Sequence, residues 1–186
     1  WSAPTPLEAA SPDRPAIAAG PSGTAIVLWR NGTALQASRY TGAWSQGVAV
    51  NGATGQPFAG LSIAIGSSGK AIALWLAGQV GFQNVMHSVF TPGTGWGPPL
   101  PIDVLAGAAN EQSVVFGMNE QALAGWQQPQ GTAGAPASGW GSVFESASGW
   151  GELVTLVATA GVVDAPVAAG DGRLHARWTI DRKSVV

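Results

Sequence analysis

The feature that most constrains this chain is a glycine followed nine residues later by a tryptophan, which recurs along the sequence. The spacing occurs at Gly20–Trp29, Gly66–Trp75 and Gly117–Trp126, and it is one residue shorter at Gly170–Trp178. In each copy, turn-forming residues follow the glycine and precede a run rich in small and branched apolar residues that ends at the tryptophan. This order is typical of a β-hairpin. Self-similarity at this period indicates a repeat architecture built from short strands.

Two further anchors complete the repeat, namely a tryptophan that opens each copy and a Ser-x-aromatic triplet near its end. The opening tryptophans are Trp1, Trp44, Trp96 and Trp150, and the triplets begin at Ser38, Ser88 and Ser142, with Ser184 as a weaker fourth. Each copy therefore supplies four short strands, which suits one propeller blade. We predict an all-β fold, a single β-propeller domain over residues 1–186 with four repeats of four strands each, at 1–43, 44–95, 96–149 and 150–186.

The phase of the repeats leaves two arrangements open. The sequence starts at an opening strand and stops after a Ser-x-aromatic strand. Pairing of these two strands would close a four-bladed ring and cover both sheet edges, which would otherwise stay exposed. The alternative is that the four repeats are an excerpt of a larger propeller.

Taken together, the anchors resemble the propeller-like tandem repeats of secreted bacterial proteins, in which a Gly-hairpin-Trp unit is combined with an outer strand opened by tryptophan. The resemblance covers the whole chain and implies an extracellular or cell-surface location. The chain departs from the sialidase Asp box, Ser-x-Asp-x-Gly-x-Thr-Trp, because Ser22-Gly23-Thr24 and Ser68-Gly69-Lys70 lack both the aspartate and the spacing.

The amino-acid composition argues against several classes of function. The 186 residues include 8 basic and 10 acidic ones, with a net charge of −2, so the chain lacks the basic surface that nucleic-acid binding requires. It has no cysteine for disulfides or thiolate sites. No uninterrupted apolar run reaches the length of a membrane span. The two histidines, His87 and His175, have no metal-ligand spacing, so we expect neither metal nor cofactor.

Trp140 is the first candidate binding residue, because it is the one tryptophan outside both repeat positions. It aligns with Gln36 and Met86 of other repeats and follows a loop predicted over Gln127–Ser138. Gln127 and Gln128 open that loop, and with Trp140 they form a candidate platform for a ligand such as a sugar. The alternative is that Trp140 fills a gap in the packing of one blade.

Acidic residues form the second candidate set. Glu111 and Asp164 each lie just before a strand that ends in the anchor glycine, and Asp13 lies near the equivalent place in the first repeat. In propellers such strands begin near the central channel, so these carboxylates are expected around its mouth. They could hold a cation or a sugar, or act as the two carboxylates that glycosidases use. The alternative is that they are solvated loop acids.

The scarcity of charged residues favours a non-catalytic function, because acid–base catalysis needs positioned ionisable groups. We therefore expect an extracellular recognition or scaffold module, not an enzyme, whose partner is a glycan or a cell-surface protein. The alternative is a propeller glycoside hydrolase that uses the carboxylates at the channel mouth.

Overall fold

A computed structural model describes most of the chain. The described residues are 6–7, 13–50, 60–79, 81–103, 105–129, 135–157, 161–163, 166–169, 173–176 and 178–180. Their regular structure consists of β-strands and one three-residue 3₁₀ turn at Pro21–Gly23, which confirms the predicted all-β class. Among these residues no helix has the length and apolar character needed to cross a bilayer.

Three antiparallel sheets follow one another along the chain, and each begins with the strand that ends near an anchor glycine. Sheet 1 contains β1 (Asp13–Ala19), β2 (Ala25–Asn31), β3 (Ala34–Tyr40) and β4 (Val48–Ala49) in that order. Sheet 2 contains β5 (Ser62–Ile65), β6 (Ala71–Ala77), β7 (Asn84–Thr91), β8 (Gly95–Trp96) and β9 (Leu100–Pro101). Sheet 3 contains β10 (Asn110–Phe116), β11 (Ala122–Pro129), β12 (Ala137–Glu145), β13 (Gly149–Trp150) and β14 (Val154–Val157).

Four short strands follow sheet 3. They are β15 (Gly161–Val163), β16 (Val167–Ala168), β17 (Leu174–His175) and β18 (Trp178–Ile180). The outer pair β15 and β18 and the inner pair β16 and β17 are both antiparallel, as expected of a fourth Gly-hairpin-Trp unit. The predicted pairing of the strand at Trp1 with residues 184–186 lies outside the described residues.

The strand register explains the Ser-x-aromatic anchor. In sheet 2 the Ser88 hydroxyl donates to the Gly97 carbonyl at 2.8 Å, and the Phe90 ring packs against Trp96 with centroids 5.5 Å apart. The same bond joins Ser38 to Ser45 at 2.7 Å and Ser142 to Gly151 at 3.0 Å. The equivalent ring pairs are Tyr40–Trp44 and Phe144–Trp150, both at 5.4 Å. Trp44, Trp96 and Trp150 thus hold the outer hairpins of sheets 1, 2 and 3 in place.

The second tryptophan anchor forms the core between sheets. Trp75 packs with Ile26 and Leu28 of sheet 1, and Trp126 packs with Ile72 and Leu74 of sheet 2. Both indoles are buried, as is that of Trp29. These three indoles are therefore packing residues, and the side chain of Trp178 lies outside the described residues.

The first strands of neighbouring sheets lie side by side, as the inner strands of a propeller do. Strand β5 contacts both β1 and β10. The backbone N–H of Val114 in β10 donates to the Ser62 hydroxyl in β5 at 3.2 Å. The ends of these strands therefore converge on one side of the three sheets.

Glu120 clamps the first hairpins of sheets 2 and 3 together. Its carboxylate accepts bonds from the Ser67 hydroxyl at 2.5 Å, from the Ser68 hydroxyl at 2.6 Å and from the Ser68 N–H at 2.8 Å. Burial alone would raise the pKa of Glu120, but these hydrogen bonds outweigh it and lower the pKa below its ordinary value. Glu120 has a φ of 59°, in a hairpin position where Gly23 and Gly69 stand in the other sheets. A non-glycine residue is strained there, and the three bonds across the interface offset the strain.

Candidate functional site

Trp140 is a packing residue and offers no surface for a ligand. Its side chain is 5% exposed, and its Nε1 donates to the Gln128 carbonyl at 3.1 Å. Trp140 lies opposite Trp126, just as Gln36 lies opposite Trp29 and Met86 opposite Trp75, which confirms the sequence alignment. The expectation of a stacking platform fails because both faces of the indole are covered, whereas the gap-filling alternative agrees with the structure.

Gln128 is also structural, because β11 continues to Pro129 where a loop was predicted. The fully buried Gln128 amide accepts from Trp126 Nε1 at 3.0 Å and donates to the carbonyls of Leu105 at 3.2 Å and Gly107 at 3.1 Å. These bonds fasten the segment before β10 to the end of β11. Of the predicted loop, only residues 135–136 lie between described strands, and 130–134 lie outside the described residues.

Asp103, which the sequence analysis did not single out, lies next to this network. Both of its carboxylate oxygens are buried, and neither has a hydrogen-bond partner of good geometry among the described residues. Burial raises the pKa of Asp103 to about 6, although the nearby Gln128 amide and Val85 backbone partly oppose the shift. An acid with such a pKa changes its charge near neutral pH.

The structure brings Glu111 of the predicted acidic set next to Gln127 of the predicted platform. Glu111 is exposed at a bulge near the start of β10, with a φ of 53°, and its carboxylate accepts a bond from the Gln127 amide at 2.5 Å. Asp13 begins β1 opposite Arg30, as Asn110 begins β10 opposite Gln127, so Arg14 and not Asp13 is equivalent to Glu111. The Asp13 side chain and the whole of Asp164 lie outside the described residues.

Glu111 and Asp103 do not form a facing pair. Glu111 bonds Gln127, whereas Asp103 lies beside Gln128. Successive side chains of a strand point to opposite faces of the sheet, so the two carboxylates lie on opposite sides of β11. Among the described residues no group of three or more histidine and carboxylate side chains could hold a metal ion.

A groove between sheets 1 and 2, here called the 1–2 groove, is a concave site bordered by aromatic side chains. Its volume is about 510 Å³. Phe90 and Trp96 of sheet 2 form one wall, and sheet 1 contributes the rest. Trp44 and Val48, both in the outer part of sheet 1, are 39% and 51% exposed. The lining residues used below are Ala37, Arg39, Trp44, Val48, Phe90 and Trp96.

Arg39 supplies the positive charge of the groove. Its guanidinium carbon lies 5.5 Å from the centroid of the Phe90 ring, a cation–π arrangement. Stacking on a ring leaves the N–H groups at the rim of the guanidinium plane available to an acceptor. Among the described residues, Arg39 forms no salt bridge with a carboxylate.

Repeat comparison could have located this groove. Arg39 stands where sheet 2 has Val89, and Ala37 stands where it has His87, as the registers opposite β2 and β6 show. The anchors that all repeats share do not mark these two positions, at which sheet 1 differs from sheet 2.

Comparison with known proteins supports the propeller-like fold. No protein-family model and no curated protein matches the sequence. Among solved structures the chain is similar to Hadza microbial sialidase Hz136, with a TM-score of 0.56 and 11% identity over 90% of this chain and 44% of that chain. It is also similar to the K499G mutant of NanB sialidase from Streptococcus pneumoniae, with a TM-score of 0.54 and 11% identity over 89% of this chain and 27% of that chain. The chain thus spans less than half of these sialidase chains, and at this identity the likeness establishes an all-β, propeller-like fold.

Proposed function

We propose that this chain is part of an extracellular β-propeller that recognises glycans, and that the sugar lies in the 1–2 groove. The observation that carries the proposal is the lining of the groove, where three aromatic rings and one arginine border a space of about 510 Å³. Small-molecule sites usually have volumes of about 300–1,000 Å³ and combine apolar walls with a few polar groups.

The aromatic rings suit the apolar face of a sugar. Trp44 exposes 39% of its surface, and Phe90 and Trp96 are partly exposed in the opposite wall. An indole presents a large rigid face at low cost in conformational entropy, and the C–H groups on one face of a pyranose can pack against it. A sugar between Trp44 and Trp96 would be held from two sides.

Arg39 favours glycans that carry an acidic group. A guanidinium binds a carboxylate or sulfate through two parallel N–H bonds, and the Phe90 ring fixes its plane in advance. We expect acidic oligosaccharides to bind more tightly than neutral ones of the same size.

A glycan array that contains matched neutral and acidic oligosaccharides tests this function, followed by calorimetric titration of the strongest ligand. Trp44→Ala should weaken binding about tenfold or more, a loss of roughly 1.4 kcal/mol or more. Arg39→Gln should weaken the binding of the acidic ligand and leave the binding of its neutral counterpart unchanged. Phe82→Ala is a matched control, because Phe82 is 62% exposed and does not line the groove. If no glycan binds, or if Trp44→Ala behaves like Phe82→Ala, the proposal is wrong.

Glycoside hydrolysis is the second candidate, and the fold likeness to sialidases favours it over the expected non-catalytic role. Glu111 is the exposed carboxylate with which such chemistry would begin, and Asp103, with a pKa of about 6, could carry a proton at neutral pH. Their positions on opposite sides of β11 argue against a catalytic pair. The one tyrosine in the sequence, Tyr40, packs on Trp44 in the outer hairpin of sheet 1.

Fluorogenic glycosides, including a sialoside, separate the two candidates. A hydrolase should release the fluorophore, and Glu111→Gln should abolish turnover while the Arg39→Gln effect on binding remains. Absence of turnover across the panel, with glycan binding intact, would leave recognition as the function of this chain.

A further inference from the structure

The interface between sheets 2 and 3, here called the 2–3 interface, repeats the arrangement of the 1–2 groove, with His87 in place of Ala37 and Val89 in place of Arg39. Ala37 lies between Leu28 and Val48 across the strands of sheet 1, and His87 lies between Leu74 and Leu100 at the same register of sheet 2. Each interface is completed by the aromatic pair of the following sheet, Phe90–Trp96 in one case and Phe144–Trp150 in the other.

In the 2–3 interface, His87 fills the space that corresponds to the open space beside Ala37 in the 1–2 groove. The imidazole meets the Trp150 ring nearly edge-on, with centroids 5.6 Å apart and an interplanar angle of 80°. The side chain is buried, although its Nδ1 and the Nε1 of Trp150 have no hydrogen-bond partner among the described residues. These two unsatisfied nitrogens cost free energy, so hydrogen bonding does not explain why His87 packs against Trp150.

Sheet 3 supplies a third example. Gly141 occupies the register position of Ala37 and His87, opposite Gly125 and Val154. A pocket of about 390 Å³ adjoins it, but its described lining contains no aromatic ring and no basic side chain. At Gly141, however, the Leu156 side chain lies beside the backbone, with its Cδ1 3.0 Å from the place where a Cβ would stand. Of the two described pockets, the 1–2 groove is the one that contains the rings and the arginine.

We infer that this register position decides whether an interface between sheets carries a sugar site, with Ala37 opening the 1–2 groove and His87 acting as a plug that closes a latent second site beside Trp150. The inference rests on the proposed glycan recognition. It implies that the site can be transferred: removing the plug and placing an arginine at Val89, the position equivalent to Arg39, should create a second site for the same acidic sugars.

The test labels the full chain with 5-fluorotryptophan and follows the ¹⁹F resonances of Trp96 and Trp150, assigned with Trp96→Phe and Trp150→Phe. The change in chemical shift between H₂O and D₂O reports solvent contact without any ligand. We expect a larger change for Trp96 than for Trp150 in the native chain. His87→Ala should raise the value for Trp150, and Ala37→His should lower that for Trp96 while circular dichroism stays unchanged.

A titration with 3′-sialyllactose, with lactose as its neutral match, then connects opening to binding. In the native chain 3′-sialyllactose should shift Trp96 alone, and in the double variant His87→Ala, Val89→Arg it should shift Trp150 as well. Solvent contacts that do not change in the single variants overturn the inference, whatever the sugar does. A response of Trp96 without one of Trp150 in the double variant overturns it too. If the solvent contacts change as expected but neither resonance responds to the sugar, the proposed glycan recognition is wrong, whereas the role of His87 in closing the space beside Trp150 is supported.

Discussion

Replacement of Asp103 by asparagine should stabilise the protein, and the gain should depend on pH. The Asp103 carboxylate is buried without a hydrogen-bond partner of good geometry among the described residues. Burial raises its pKa from 3.8 to about 6, against the partial opposition of the Gln128 amide and the Val85 backbone. The charged form is therefore less favourable in the folded protein than in the unfolded chain.

The size and sign of the effect follow from the shift. Because the folded pKa lies above the unfolded one, the folded state binds the proton more tightly. The stability that this proton confers is fully present below pH 3.8 and is lost as the pH rises through about 6. One pKa unit corresponds to about 1.36 kcal/mol, so the full cost of the charge is at most about 3 kcal/mol. Asparagine remains polar, and we expect Asp103→Asn to gain about 1–3 kcal/mol at pH 7.5 and nearly nothing at pH 4.

Urea unfolding followed by tryptophan fluorescence measures this gain at pH 4.0, 5.0, 6.0 and 7.5. Glu152→Gln serves as the control, because it removes a carboxylate from an exposed position between β13 and β14 of sheet 3. Its effect should be small at every pH. An Asp103→Asn gain that is equal at pH 4.0 and 7.5, or a loss at pH 7.5, would refute the assignment of a buried, unpartnered charge.

Three further predictions concern packing and the clamp. Trp75→Ala should lower the free energy of unfolding by about 3–5 kcal/mol, because it removes a buried indole between two sheets, and a neutral result would contradict the packing role. Ser88→Ala and Ser142→Ala should each cost about 1 kcal/mol in urea unfolding, since each removes one bond to the carbonyl after a tryptophan; widely different values would argue against repeat equivalence. Glu120→Gly should be less destabilising than Glu120→Ala by about 1 kcal/mol, because glycine relieves the strain at φ 59°, and equal losses would show that strain is absent. Both Glu120 variants should approach the native stability as the pH falls through the lowered pKa, where the native clamp loses its charge.

The fold could be predicted because its determinants repeat. Trp75 and Trp126 are large side chains that each pack between two neighbouring sheets. Their spacing along the sequence is therefore the length of one repeat. The Ser-x-aromatic anchor could be seen as a sequence pattern. Its cause is a serine hydrogen bond and an edge-on pair of aromatic rings, and these become visible only when the strand register is known. The number of blades and the closure of a ring remain predictions.

The binding residues were predicted less well, because composition alone marked Gln127–Ser138 as a loop. Glutamine and proline are uncommon inside central strands, yet Gln128 is buried there with its amide fully bonded. Such bonds involve Leu105 and Gly107, which are distant in sequence, so no local pattern reveals them. Glu111 lies near the start of β10, and Gln127, which was predicted to open the loop, lies within β11 and donates to the Glu111 carboxylate.

Departures from the repeat distinguish structural from functional positions. Glu120 replaces a glycine and is strained, but three hydrogen bonds to Ser67 and Ser68 compensate within the same interface, so stability alone accounts for it. Ala37 stands where sheet 2 has His87, and the 1–2 groove lies beside it, with Trp96 in one wall and Arg39 in its lining. On the proposed function, a bound sugar would contact Trp96 from the side that His87 covers on Trp150. The Ala37→His variant should therefore keep its fold, as circular dichroism would show, and fail to bind the sugar; native affinity in this variant would show that the space beside Ala37 is not used.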